Sequence, residues 1–181
     1  MQAHLFEIHF SVANKIILPV FNKGNILRGA LGRSLRDMVC LFPQEECIKC
    51  GIVECVYRDF FNSMPNPDVK KLSKNENIPR PYVIKPPLEK KELYKKDEII
   101  KFDIVIFGKA VQFLPYILIM LKNAASSGLG KNRGKACLER IYQKNPVTGN
   151  VHELFSSEND MVYPRDIFFT ENDFKTMDVD R

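Results

Sequence analysis

No stretch of this chain is both long enough and apolar enough to cross a bilayer. Its longest apolar run, residues 111–121, is broken by Gln112 and Pro115 and falls well short of the ~20 residues a membrane helix needs. A basic N-terminal segment followed by an apolar run and a cleavage site is also missing, so no secretory signal is expected. The expected location is therefore the cytoplasm, where five cysteines stay reduced and open to metal. Histidine is scarce, and none occurs between His9 and His152. Internal repeats are absent. A Walker A loop is excluded, because no Lys-Ser or Lys-Thr pair follows the glycines near residue 130. A dinucleotide fingerprint is excluded as well, since that glycine loop closes a helix pattern instead of opening one.

What is present suits one ordinary domain, or one domain with a fragment of another, in 181 residues. An apolar content of 45%, with 13 Phe, is ample for a packed core and excludes global disorder. The net charge of +5 hides an asymmetry: residues 150–181 carry −5 and residues 1–149 carry +10. A basic body with an acidic end suits a polyanionic partner better than a small acidic substrate, although plain solubility also explains many basic domains.

Residues 5–12 alternate, with Phe6, Ile8, Phe10 and Val12 on one face and Glu7, His9 and Ser11 on the other, which predicts a half-buried strand. Leu27, Leu31, Leu35, Met38 and Phe42 then recur every three or four residues and define one stripe of a helix. Arg33 lies opposite that stripe and Arg36 flanks it. Gly29 and Gly32 cost helix stability, so they predict close approach by a neighbour or a ligand. Periodicity vanishes between residues 40 and 80, which reads as an insertion holding four cysteines and Pro65, Pro67 and Pro79. Strands are predicted at 80–84, 99–107 and 135–143, and a hairpin partner at 151–155. A second helix is predicted at 111–125, with Pro115 tolerated in its first turn. The order is β-α-(insertion)-β-β-α-β, an α+β ferredoxin-like (RRM-like) βαββαβ sandwich with a cysteine-rich insertion after the first helix and a C-terminal hairpin and tail. Its helices cover one face of a four-stranded antiparallel sheet, and RNA-recognition domains of this arrangement read single strands on the other face. The domain spans 1–155, with the insertion at about 40–80; residues 156–181 form an acidic tail or the start of a missing second domain.

Two clusters carry chemistry. Residues 126–135 hold Gly128, Gly130 and Gly134 among Lys131, Arg133 and Lys135. Successive N–H groups in such a loop form a concave anion site, and the cations draw phosphate in. The plainer reading is a helix C-cap at Gly128 followed by a basic turn. Cys40, Cys47, Cys50 and Cys55 are spaced Cys-x6-Cys-x2-Cys-x4-Cys, and four thiolates complete a tetrahedral zinc shell with no open position, hence a structural one. The alternatives are reduced cysteines at a helix end or a redox pair at Cys47 and Cys50. Cys137 reads as a core thiol.

Four segments in this order carry a resemblance. They are Ile26-Leu-Arg-Gly-Ala-Leu-Gly-Arg-Ser-Leu-Arg36 leading to Cys40, then Cys47-x2-Cys50-x4-Cys55-Val-Tyr57, then Pro79-Arg-Pro-Tyr-Val-Ile84, and finally Gly128-Leu-Gly-Lys-Asn-Arg-Gly134. From about Leu5 to Val151 the chain resembles the N-terminal part of the CRISPR-associated repeat-RNA-processing endoribonucleases of the RAMP superfamily. The resemblance implies tandem ferredoxin-like domains, glycine-rich loops that grip CRISPR repeat RNA, other CRISPR-associated proteins as partners, and no membrane. It further implies cleavage of precursor CRISPR RNA without a catalytic metal, by attack of a 2′-hydroxyl on the neighbouring phosphate. Such a reaction needs a base, an acid and cations.

The sequence departs from that family in offering no histidine in or near the first helix. The catalytic candidates are therefore His9, Tyr57 and Arg33, although arginine is a poor general base. The RNA-contact candidates are Arg28, Arg33, Arg36, Gly128, Gly130, Lys131, Arg133, Gly134 and Lys135. Nothing after residue 155 reads as a complete second domain, so a fragment or a one-domain relative is expected, poorly active by itself. The function expected is binding of CRISPR repeat RNA, with cleavage by the full-length protein. One alternative is a non-catalytic RNA-binding subunit of a CRISPR effector complex; another is a zinc-stabilised protein-interaction domain.

Overall fold

A computed structural model describes residues 1–47, 49–52, 54–62 and 79–175. The alternating segment forms β1 (Gln2–Val12), followed by the short β2 (Ile16–Ile17) and by helix α1 (Lys23–Val39). One turn of π-helix, Tyr57–Phe61, precedes β3 (Tyr82–Lys85), β4 (Leu93–Tyr94) and β5 (Ile99–Phe107). A 3₁₀ stretch, Gly108–Phe113, leads into α2 (Leu114–Ser127), which therefore starts later than its apolar pattern suggested. The chain continues through β6 (Ala136–Lys144), β7 (Val151–Ser156), β8 (Met161–Val162), β9 (Phe169–Thr170) and α3 (Glu171–Lys175).

The main sheet runs β3-β5-β1-β6-β7-β8, every pair antiparallel, and β9 pairs with the start of β1. Its first four strands have the order of the split βαβ fold expected from the sequence. After Phe155 the chain returns to this sheet, through β8 on β7 and β9 on Gln2 and Ala3. A separate ribbon joins β2 to β4.

The core fills the space between the sheet and the helices. Phe6, Ile8, Phe10 and Val12 of β1 meet Leu27, Leu31 and Leu35 of α1 and Ile117, Leu121, Ala124 and Ala125 of α2, all buried. Each fully buried Val, Leu, Ile or Phe side chain is worth about 1.5–3 kcal/mol relative to exposure. Ser34 donates a hydrogen bond to the Met120 carbonyl, 2.8 Å, tying the two helices together.

Two apolar assignments differ from the sequence pattern. Phe42 lies beyond the end of α1 and is about half exposed, because the helix stops at Val39 and Cys40 turns extended. Cys137 is exposed, because on β6 it alternates with the buried Ala136 and Leu138 and so faces away from the helices.

The insertion contributes to the core. Phe60 and Phe61 are buried against Tyr82, with ring centroids 4.9 and 5.1 Å away. Gly32 makes room for them, since a Cβ there would stand 2.3 Å from the Phe61 ring. Pro65 and Pro67 fall outside the described residues.

Candidate nucleic-acid interface

The glycine loop is shaped by the chain itself. Gly130 has φ +75, and a Cβ on it would stand 2.2 Å from the Ile17 carbonyl oxygen; at Gly134 a Cβ would stand 2.1 Å from that of Lys15. The backbone of β2 and of Lys15 just before it passes directly against the loop, which only residues without a Cβ permit. The Lys131 N–H donates to the Ile17 carbonyl, 3.0 Å, and the Lys135 N–H to Asn14 Oδ1, 2.6 Å. Asn132 completes the seam, donating to the Lys15 carbonyl at 2.6 Å and accepting from the Ile17 N–H at 2.9 Å. The Leu129 and Arg133 N–H groups bond within the loop, to Gly134 and Gly130. The structure thus differs from a cradle of free N–H groups. The N–H groups of Leu129, Lys131, Arg133 and Lys135 are all engaged within the fold.

The side chains of the loop meet a second element. A cleft of about 320 Å³ separates α1 from the loop, with Asn25, Gly29, Arg33 and Asp37 on one wall and Gly130 and Arg133 on the other. Arg33 and Arg133 are exposed, and neither forms an ion pair among the described residues. At Gly29 a Cβ would meet nothing within 4 Å. Its lack of a side chain therefore opens the cleft, whereas that of Gly32 serves packing. Lys131 and Lys135 are exposed on the same loop.

Other expected contacts lie apart. Arg28 sits on the Tyr57 and Tyr82 side of α1. Burial pushes both phenols up, and the positive charge of Arg28 opposes the shift in each. Arg36 is held by the cysteine segment, donating to the Pro43 and Glu45 carbonyls at 3.1 and 3.0 Å and lying over the Tyr57 ring. The four cysteines of the insertion line one pocket of about 200 Å³ with Tyr57 and Tyr116. Among the described residues no three His, Cys, Asp or Glu side chains stand at metal-binding spacing.

The sheet face away from the helices is occupied by charge pairs. Glu7 bonds to Lys144 and, at 2.8 Å, to His9, whose ring meets Tyr142 edge-on. Lys85 pairs with Asp103, and Arg140 with both Glu153 and Glu158. Its cations are largely neutralised there. His9 is thus on the far side of the sheet from Arg33, and Tyr57 packs on Phe61 in the insertion. The three catalytic candidates do not share a site.

Sequence reasoning missed two residues. Phe21, in the turn leading into α1, is fully exposed, and Asp37 places a carboxylate in the cleft. The signal for Phe21 was an aromatic ring outside any apolar period.

Residues 1–167 match the family described as AF_1859_N, an N-terminal domain. The chain belongs to that family. No curated protein matches it. Among solved structures, a chain in the crystal structure of the Csm3-Csm4 subcomplex in the type III-A CRISPR-Cas interference complex is similar. Its TM-score is 0.50 at 14% identity, over 87% of this chain and 91% of that one. At that identity the likeness is one of fold. It joins the AF_1859_N domain to the α+β architecture seen in a CRISPR-associated subunit. Among the described residues no helix is long and apolar enough to cross a membrane.

Proposed function

We propose that this AF_1859_N domain is an RNA-binding module of RAMP type that holds CRISPR repeat RNA by its phosphates in the cleft between α1 and the glycine loop. The observation that carries the reading is the meeting of Arg33 and Arg133, from distant parts of the chain, across one open cleft without ion-pair partners among the described residues. Guanidinium groups suit phosphate by their fixed fork of donors. Lys131 and Lys135 extend the basic track, and Asp37 tempers it. Association with other CRISPR-associated proteins is part of the reading, and the shared fold with a subunit of such a complex supports it.

Cleavage needs a base and an acid at one phosphate. Because His9, Tyr57 and Arg33 are dispersed, the role assigned to this chain is holding RNA, and processing calls for groups outside it. Filter binding over a series of salt concentrations tests the assignment. Replacing Arg33 and Arg133 with alanine should flatten the log–log salt slope by roughly 0.7 per lost contact and weaken all single-stranded sequences alike. An unchanged slope in the folded double variant removes the cleft from consideration. Site-specific cleavage of repeat RNA by the chain alone, lost on 2′-deoxy substitution, would restore the endonuclease reading.

A further inference from the structure

Arg36 carries an unusual hydrogen-bonding deficit. Its Nη2 donates to two carbonyls of the cysteine segment, yet its Nε–H is buried and has no acceptor. A buried unpaired donor costs about 1–3 kcal/mol, more when charged, so natural structures seldom leave one. Cys40 follows one helical turn later, its N–H donating to the Arg36 carbonyl at 2.8 Å. A neutral thiol is a weak acceptor, whereas a thiolate is a strong, charged one.

The four thiols are gathered around one cavity. Cys40, Cys47, Cys50 and Cys55 all line the same pocket of about 200 Å³, otherwise walled largely by apolar groups such as Val39, Phe42 and Ile52. The Cys50 N–H points back to the Cys47 carbonyl, 3.4 Å, so both thiols issue from one tight turn. Cys40 caps the end of α1, and Cys55 stands just before the turn that buries Phe60 and Phe61. Two rigid elements therefore bracket a segment with little regular structure.

We infer that Cys40, Cys47, Cys50 and Cys55 form a closed tetrathiolate site for Zn²⁺, with Arg36 as its outer-shell cation. Binding one Zn²⁺ to four thiols forms four Zn–S bonds and releases four protons, leaving a net charge of −2 on the cluster. Arg36 offsets part of that charge and gives its Nε–H an acceptor. Metal draws the sulfurs together from the pocket wall, which fixes the segment after α1 relative to the Phe60–Phe61 anchor. With no open coordination position, the ion is structural. This inference is independent of RNA binding.

The test is titration of the full reduced chain with Co²⁺ and then Zn²⁺. Expected are one Co²⁺ per chain, near-ultraviolet sulfur-to-cobalt charge transfer of the intensity given by four thiolates, visible bands of tetrahedral cobalt, and displacement by one Zn²⁺ with proton release. Cys47→Ser and Cys50→Ser should each lose the four-thiolate spectrum. Arg36→Ala should weaken metal affinity about 10–100-fold with the tetrahedral spectrum retained, as outer-shell changes do, and Arg36→Lys should recover part of that loss. A folded parent protein that takes up no metal overturns the inference. So does a charge-transfer intensity of two thiolates, or a Cys47–Cys50 disulfide persisting in reducing buffer. Unchanged affinity in a folded Arg36→Ala variant removes the outer-shell role of Arg36. Because the decisive spectra come from the parent chain, a variant that fails to fold does not spare the proposal.

Discussion

Neighbouring glycines act in opposite ways. A side chain at Gly130 would collide with the Ile17 carbonyl oxygen and would also need a positive φ. Gly130→Val should therefore lower the melting temperature markedly in RNA-free protein, and thermal unfolding checks it. Any loss of RNA binding in that variant reports lost structure, so it is no test of a phosphate site. Gly29, by contrast, faces open space on α1. Gly29→Ala should stabilise the domain by about 0.5–1 kcal/mol, the helix preference for alanine. It should also weaken RNA binding by narrowing the cleft beside Arg33. Paired urea unfolding and filter binding would show the two effects with opposite sign, and a variant that gains stability while binding RNA unchanged argues against the cleft.

At the scale of elements, the insertion and β1 each yield a prediction. The turn after Cys55 is seated by two aromatic rings under α1, so Phe61→Ala should cost about 3–5 kcal/mol, as deletion of a buried ring does. Chemical denaturation would measure it, and a loss below 1 kcal/mol would mean that the insertion is only draped on the core. On β1, burial pushes the Glu7 carboxyl up, but hydrogen bonds from Lys144 and His9 and their charges outweigh it, leaving the group below its ordinary 4.5. Asp103 faces it from β5 and Tyr142 from β6. A carboxyl lowered on folding adds stability above its unfolded pKa, and that stability is lost as pH falls through the folded value. Glu7→Gln should thus leave a flatter stability profile below pH 4.5 than the parent shows, measured by urea unfolding across the acid range.

For the whole molecule, the alternation of residues 5–12, the stripe of Leu27, Leu31 and Leu35, and the β-branched run at 99–107 were enough to determine the α+β class and strand order. Those patterns are local, set by a period of two or of 3.6 residues, and burial follows them directly. The basic loop and the cysteine cluster were legible for the same reason: each lies within one short stretch. Tertiary structure decided what local pattern does not encode. Whether Cys137 faces core or solvent depended on the phase of β6 against the helices, and whether Phe60 and Phe61 joined the core depended on a gap at Gly32, about thirty residues earlier. The glycines of the loop were visible as glycines, but the backbone they admit comes from residues 15–18, over a hundred positions away. The same long-range closure set Arg33 opposite Arg133, because those two side chains meet across the fold and not along the chain.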